Sequence, residues 1–469
     1  MKEKKDNKRK VKISFFGGTG EVTGSNYVVE SVSGPGGSKI AVDCGLFQGT
    51  KIGEERNNEP FPYEPQSLNA LIVTHAHLDH IGRIPKLVRD GFKGEIYSTA
   101  PTRDFARLML VDSIGVLSKE AKHNGKNSLI YTEADVENAM ALWKTKNYGE
   151  DFAVGEFSIK LKDAGHILGS AFVEISGAGN PESKKIIFSG DLGNSPEPLL
   201  NPTEEAKNAA YMVVESTYGD RLHEDSSEAD IKLERMIEET VKNNGVLMIP
   251  AFSLERTQRL LYQMNNLVEN GRVPKLSIFL DSPLSIGATG VYKNHVNFYS
   301  GEAKNEILKG DDLFNFPGLK MTLSTEESKN ISGVPAPKVI IAGAGMCNGG
   351  RILHHLKNYL PHKNNFLLLV SYQAAGSLGR MLQDGARLVK IMGEEVPVEA
   401  SVEKIGGYSS HADANGLLDF VGKSVDTLKK VFVAHGEPKS SLFLTQRIRD
   451  YLGVDAVAPQ IGESFTVEI

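Results

Sequence analysis

The sequence predicts an α/β protein in which a β-rich domain is interrupted by an α/β domain built on a parallel sheet. Three changes of texture carry that expectation. Residues 11–205 alternate short β-type runs with turn residues. Residues 206–385 alternate continuous apolar runs with amphipathic helical stretches, as a parallel sheet covered on both faces requires. Residues 386–469 return to short strand-like runs. A chain of 469 residues also exceeds what one ordinary core organises, so more than one domain is expected.

The elements follow in order. VKISFFG, NYVVE, KIAVDCG and LNALIVT are short, apolar or alternating, and bounded by Gly, Asn or Asp, which marks strands. IPKLVRDG reads as a short helix that stops at Gly91. The stretch 100–146, rich in Ala, Leu, Glu and Lys, reads as helical, and FSIKLKD, AFVEIS, KKIIFSGD and YMVVEST return to strands. EADIKLERMIEETVKNNG is an amphipathic helix with a glycine stop. GVLMIPAF, LSIFLDSP, KVIIAGAG and NFLLLVSY are continuous apolar strands, separated by helical patterns such as RTQRLLYQMNNLVENG. The chain closes on a helix and ESFTVEI, and it holds no internal repeat.

Composition excludes several function classes. A net charge of −6 opposes wholesale electrostatic binding of nucleic acid. It leaves room for a local positive site, because bound metal ions are absent from a sequence count. Two cysteines, Cys44 and Cys347, exclude a disulfide framework and suit a reducing compartment, so a cytoplasmic protein is expected. The start, MKEKKDNKRK, lacks the apolar segment of a secretory signal and reads as a flexible basic arm over residues 1–10. No window approaches the ~18 apolar residues of a membrane-spanning helix.

Two motifs compete for the chemistry. GGTGEVTGS at 17–25 follows a strand and invites a nucleotide-binding reading. Its glycines give G-x-G-x-x-x-G, it lacks Gly-Lys-Ser/Thr, and a β-branched run follows it, so a hairpin turn is expected instead. LIVTHAHLDHIG at 71–82 is different. It places His75, His77, Asp79 and His80 within six positions just beyond an apolar strand. His75 and His77 would not share a helix face. A tight turn can aim all four at one point, and imidazole with carboxylate suits Zn²⁺ or a similar divalent ion.

Further donors sit where short β-type runs end or begin: His166 in DAGHILGSA, Asp191 in IIFSGDLGN and His435 in KVFVAHGEP. An aspartate such as Asp191 can face one metal with each oxygen. Two metals held this way activate water and stabilise the oxygens of a phosphoryl displacement, so hydrolytic chemistry is expected.

THAHLDH, with Asp43 upstream and His166, Asp191 and His435 downstream, resembles the metallo-β-lactamase superfamily. The inserted segment narrows the resemblance to its β-CASP nucleases, in particular bacterial and archaeal relatives of the nuclease subunit of the cleavage and polyadenylation specificity factor. It covers residues 11–469. It implies an αββα metallo-β-lactamase sandwich formed by 11–205 and 386–469, with 206–385 as the inserted β-CASP domain. It also implies two Zn²⁺ per chain, with Mn²⁺ or Fe²⁺ as alternatives. His75, His77 and His166 would hold one ion, Asp79, His80 and His435 the other, with Asp191 bridging and Asp43 orienting ligands from behind.

Asp79, Glu215 in VVESTYG and His411 in GGYSSHADANG are the implied catalytic residues. A histidine beside a carboxylate can be kept protonated for the leaving ribose oxygen. Glu215 also ends an apolar strand, where an acid is unexpected. GAGMCNGGRILHHL and YQAAGSLGRMLQDG resemble the RNA-directed branch, as does a histidine at position 435. Within them His354, His355, Ser377 and Arg380 are candidate substrate contacts, the last two as a phosphate-binding nest. With so short an arm before the core, an RNA-binding domain of the kind some archaeal relatives carry there is not expected.

Three readings compete. The first is an RNA-cleaving dinuclear hydrolase. The second is a DNA nuclease or a small-ester hydrolase on the same metal core. The third is a non-catalytic scaffold that binds RNA. An inserted domain that roofs a groove suits a polymer, and all seven expected ligands are present, which favours the first. The implied partner is RNA, with a second copy of the chain as an open alternative and no membrane.

Overall fold

The computed structural model describes residues 9–32, 37–49, 51–123, 129–180, 183–223, 226–406 and 408–469. Residues 1–8 of the expected basic arm lie outside the described residues. The chain forms two compact units. One takes residues from 1–197, 201–222 and 411–469, and the other takes 198–200 and 223–410.

The first unit holds two seven-stranded sheets. In one, Ser464–Glu468 lies at an edge beside Lys10–Gly17, followed by Asn26–Ser31, Lys39–Val42, Ala70–Ile72, Glu95–Ser98 and Trp143–Thr145. In the other, Ala456–Val457 is followed by Lys430–Val433, Ala209–Val214, Lys185–Phe188, Ala171–Gly177, Phe157–Asp163 and Asp151–Val154. Alternation sorts the residues. FSIKLKD buries Phe157, Ile159 and Leu161 and leaves Ser158, Lys160 and Lys162 half-exposed. Those inward residues join Phe15, Val29, Val42, Ile72, Phe188 and Phe432 from both sheets in one core. Each fully buried large side chain contributes roughly 1.5–3 kcal/mol.

The second sheet's other face is covered by the helices Ala414–Gly422 and Pro438–Leu452. Leu417, Phe420, Leu444 and Ile448 pack there with Phe172, Met212 and Val214. The helices Ala100–His123 and Glu133–Ala141 pack together, the first also against Trp143–Thr145. The layering is the helix–sheet–sheet–helix sandwich expected. One correction concerns the end of the helical stretch over 100–146. Trp143–Thr145 is an edge strand, because it pairs in parallel with Glu95–Ser98.

The second unit is organised by a six-stranded, all-parallel sheet, in the order Leu319–Met321, Ser277–Asp281, Lys338–Ala342, Val246–Pro250, Phe366–Leu369, Ser401–Lys404. Its central strands VLMIP, KVIIA and FLLL are buried at every position, as strands covered on both faces must be. Lys338 is tolerated there because its Nζ donates to the carbonyls of Ile331 and Val334, both at 2.7 Å.

The crossings between units fall at Leu222/His223 and Ser410/His411, later than the expected 205 and 385. Ala209–Val214 is a parallel strand buried between Lys185–Phe188 and Lys430–Val433, so by texture it resembles the strands of the inserted sheet. Ser401–Lys404 is the sixth strand of that inserted sheet although it is short and half-exposed. Among the described residues, no helix is long and apolar enough to cross a membrane.

Candidate metal centre

The donor residues stand at strand ends of the first unit, on loops and, for Asp79 and His80, on the short helix Leu78–Ile81. His75, His77, Asp79 and His80 follow Ala70–Ile72, Asp191 follows Lys185–Phe188, Glu215 follows Ala209–Val214 and His435 follows Lys430–Val433. The last three strands are mutually parallel, so their carboxyl ends open on one edge. His166 joins from the turn between Phe157–Asp163 and Ala171–Gly177. That turn is held by Asp163 Oδ1 accepting from Gly165 N (2.9 Å) and Ser170 Oγ accepting from His166 N (3.0 Å). Burial pushes the Asp163 carboxyl up to about 7.

Two sets of donors converge. In the first, His75 Nε2 lies 3.0 Å from His77 Nδ1 and 3.2 Å from Asp191 Oδ2. His166 Nε2 lies 3.2 Å from His77 Nδ1 and 3.6 Å from Asp191 Oδ2. In the second, His80 Nε2 lies 3.3 Å from Asp191 Oδ1 and 3.7 Å from Asp79 Oδ2. His435 Nε2 lies 3.5 Å from each of the same two oxygens. In a regular tetrahedron the edge is about 1.63 times the centre-to-corner distance. These edges therefore place a centre about 2.0 Å from the first set and about 2.1 Å from the second, the lengths of Zn–N and Zn–O bonds. Asp191 offers one oxygen to each set. Its Oδ1 and His80 Nε2 are buried with no hydrogen-bond partner, a costly arrangement that a cation at the second centre relieves.

The surrounding hydrogen bonds turn the lone pairs inward. Asp43 Oδ2 accepts from His80 Nδ1 (2.7 Å) and from Thr74 Oγ1 (2.8 Å), and Oδ1 accepts from Thr74 N (2.8 Å). With its proton on Asp43, the Thr74 oxygen accepts from His75 Nδ1 (3.1 Å). This order assigns both rings the proton on Nδ1, leaving Nε2 as donor to a metal. Gly45 allows the close approach of the two loops. A Cβ there would lie 1.5 Å from the Asp79 carbonyl oxygen.

Charge follows the same plan. Burial, with His80 second, holds His75 well below the usual histidine range, and burial lowers His77 to about 4, so both are neutral ligands. Burial alone would raise Asp191, but His80, His435 and His75 outweigh it and keep it ionised. Burial would likewise lower His80, yet Asp191, Asp43 and Asp79 raise it well above its ordinary value. A bound cation would take the place of that proton.

Beside the first set, His411 Nδ1 lies 3.4 Å from Glu215 Oε1 and 4.0 Å from Asp191 Oδ2. Glu215 is fixed by Leu192 N (2.6 Å) and Thr217 N (3.3 Å). Burial opposes a charge on His411, but Glu215 foremost and then Asp191 and Asp79 push its pKa up to about 9. The ring keeps 21% of its surface, so it is charged, oriented and within reach of solvent.

Thr74 and Ser25 escaped the sequence reading. Thr74 stands in the motif without being a metal-binding type. Ser25 Oγ lies 2.8 Å from His435 Nδ1, across 410 positions of sequence, and carries no local signal. The four candidate substrate contacts all lie in the second unit. His355 is buried, with Nε2 2.7 Å from Asp281 Oδ2, so its ring is engaged within the second unit. Ser377 Oγ accepts from Arg380 N and donates to Ala374 O, and Arg380 Nε is held by Asp384, so the expected nest is occupied by its own chain. His354 is exposed on the helix Ile352–Tyr359.

Comparison with known proteins agrees with this geometry. Residues 19–241 match the family model of the metallo-beta-lactamase superfamily, 257–382 the Beta-Casp domain, and 395–459 the Zn-dependent metallo-hydrolase RNA specificity domain. The chain is 37% identical to Ribonuclease TTHA0252 of Thermus thermophilus, over 92% of this chain and 95% of that protein. It is 28% identical to Transcription termination factor FttA of Methanosarcina mazei, over 96% of this chain and 70% of that one. A crystal structure of a protein of unknown function from Enterococcus faecalis V583 matches with a TM-score of 0.58 and 14% identity, covering 98% of this chain and 100% of that one, a likeness of fold alone. The donor geometry and these matches assign a metal cofactor to the centre, and the chain belongs to the metallo-β-lactamase superfamily, in the branch that carries a β-CASP domain.

Proposed function

We infer that this protein is a metal-dependent hydrolase that cleaves RNA phosphodiester bonds. One observation carries the reading: seven side chains from four segments of the chain form two four-donor sets that share Asp191, with the Glu215–His411 pair alongside. Similarity to a ribonuclease and to an RNA specificity domain directs that chemistry to RNA.

His75, His77, His166 and Asp191 would hold one Zn²⁺, and Asp79, His80, His435 and Asp191 the second, with Mn²⁺ or Fe²⁺ as alternatives for the same donors. Bound cations supply water activation and charge stabilisation at the phosphate oxygens. The chain's own residues do the rest. Asp79, at 19% exposure against 2% for Asp191, is the ligand carboxylate nearest solvent and takes the proton of the attacking water. His411 gives its proton to the leaving ribose oxygen as the P–O bond breaks. Glu215 keeps that imidazole charged and aimed. We place the protein in the cytoplasm, where its two buried thiols stay reduced.

The test uses zinc-reconstituted protein with end-labelled RNA, DNA of the same sequence and a small chromogenic ester. RNA cleavage that chelation abolishes and zinc restores is expected, and His77→Ala should lose metal together with activity. Equal cleavage of DNA, hydrolysis of the ester alone, or RNA binding without cleavage would each transfer the reading to a competitor. Light scattering of the loaded protein reads whether a second copy is a partner.

A further inference from the structure

We propose that Ser25 is the positioning residue that fixes His435 in the orientation and tautomer a second cation requires. The inference rests on the metal-centre reading above. His435 offers Nε2 to Asp79 Oδ2 and Asp191 Oδ1, at 3.5 Å from each. For that nitrogen to present a lone pair, the ring proton must sit on Nδ1, and a buried N–H needs an acceptor. Ser25 Oγ provides it at 2.8 Å, on a residue with no exposed surface. His80 has the Asp43 carboxylate in the equivalent role, and His75 has the Thr74 hydroxyl.

Ser25 is itself held on both sides. Its N–H donates to the Asp79 carbonyl and its carbonyl accepts from Gly45 N–H, both at 2.9 Å. One residue thus ties the His435 ring to the backbone of Asp79, a ligand of the same cation, and to the loop that carries Asp43. The glycine-rich run before it has a physical reason in this arrangement. Gly18 has φ +62°, and a Cβ there would lie 3.0 Å from Ser25 Oγ and 2.7 Å from the Tyr27 hydroxyl. Its carbonyl accepts from His435 N–H at 2.6 Å. GGTGEVTGS therefore connects the antiparallel strands Lys10–Gly17 and Asn26–Ser31 and also braces the second donor set from behind. A hydroxyl suits the position because it accepts from Nδ1 without adding charge beside Asp43, Asp79 and Asp191.

The experiment is a chelator titration of zinc-loaded protein, with released zinc read by a colorimetric indicator and the residual zinc by elemental analysis. In Ser25→Ala one of two ions should leave at roughly 10–100-fold lower chelator concentration, while the other is held as in the wild type. Thr23→Ala, whose hydroxyl accepts from Gln48 N in the same loop, should titrate like the wild type. A wild-type protein that holds no zinc would remove the metal-centre reading itself. Two ions in the wild type and an unchanged titration in Ser25→Ala would overturn the role of Ser25 alone. Nitrogen NMR of histidine-labelled, zinc-loaded wild type reads the same claim without a variant. A proton on His435 Nδ1, with the signal assigned by its loss in His435→Gln, is expected. A proton on Nε2 would overturn the proposal.

Discussion

Replacing His411 by alanine tests whether the proposed proton donor is distinct from the proposed metal ligands. The structure sets what should survive. His411 Nδ1 stands 4.0 Å from Asp191 Oδ2, outside the 3.0–3.6 Å distances measured within the first donor set. Both four-donor sets remain whole without it, so elemental analysis of His411→Ala should return two ions per chain. RNA affinity should be unchanged. Cleavage should not, because the leaving ribose oxygen then departs without a proton. General acids contribute roughly 10²–10⁴-fold, equivalent to about 2.7–5.4 kcal/mol of barrier. The assay compares single-turnover cleavage of RNA with cleavage of a phosphodiester whose leaving group is p-nitrophenolate. That leaving group needs no proton, so its loss should stay below about tenfold. Glu215→Gln should fall between wild type and His411→Ala, since the amide oxygen can still accept from Leu192 N while the charge, and the second oxygen that accepts from Thr217 N, are gone. Equal slowing of both substrates, or a lost ion in His411→Ala, would refute the assignment of the acid.

Other outcomes follow from the same contacts. Asp191→Ala takes a corner from both donor sets, so zinc content should drop from two ions toward none under a chelator concentration that the wild type withstands. Glu255 in the second unit is 3% exposed, and burial pushes its carboxyl up to about 7 from an ordinary 4.5. A folded pKa above the unfolded one makes stability greatest below about pH 4.5 and reduces it as pH rises through 7. The difference is on the order of 3 kcal/mol, at 1.36 kcal/mol per pH unit. Glu255→Gln should therefore melt higher than the wild type at pH 8.5 and lose that advantage at pH 4.5, a ranking that thermal denaturation reads. Phe157→Ala removes a fully buried ring from the core between the two sheets and should cost about 3–5 kcal/mol in denaturant unfolding.

The fold was legible where local pattern and tertiary role coincide. Alternating FSIKLKD reads as a strand with one face inward, and the apolar runs VLMIP, KVIIA and FLLL, set between helical patterns, read as strands covered on both faces. Texture failed at the boundaries. Ala209–Val214 is a buried parallel strand of the first unit and carries the same composition as the strands of the inserted sheet. Trp143–Thr145 sits at the end of a helical composition, and only its pairing with Glu95–Ser98 makes it a strand.

At the site, the kind of chemistry was readable along the chain. A turn that must bring four donors to one point has to carry them close together, so His75, His77, Asp79 and His80 stay adjacent in one dimension. Which atom of each donor faces inward, and what holds it there, depends on contacts formed in three dimensions. Ser25 meets His435 across 410 positions, and Glu215 meets His411 across 196. His355 meets Asp281 across 74 positions. Tautomer, orientation and burial are set by whichever group packs against a ring. Thr74 does this for its neighbour His75, but for His80, His435 and His411 the group comes from a distant segment, brought near by the fold rather than by spacing along the chain.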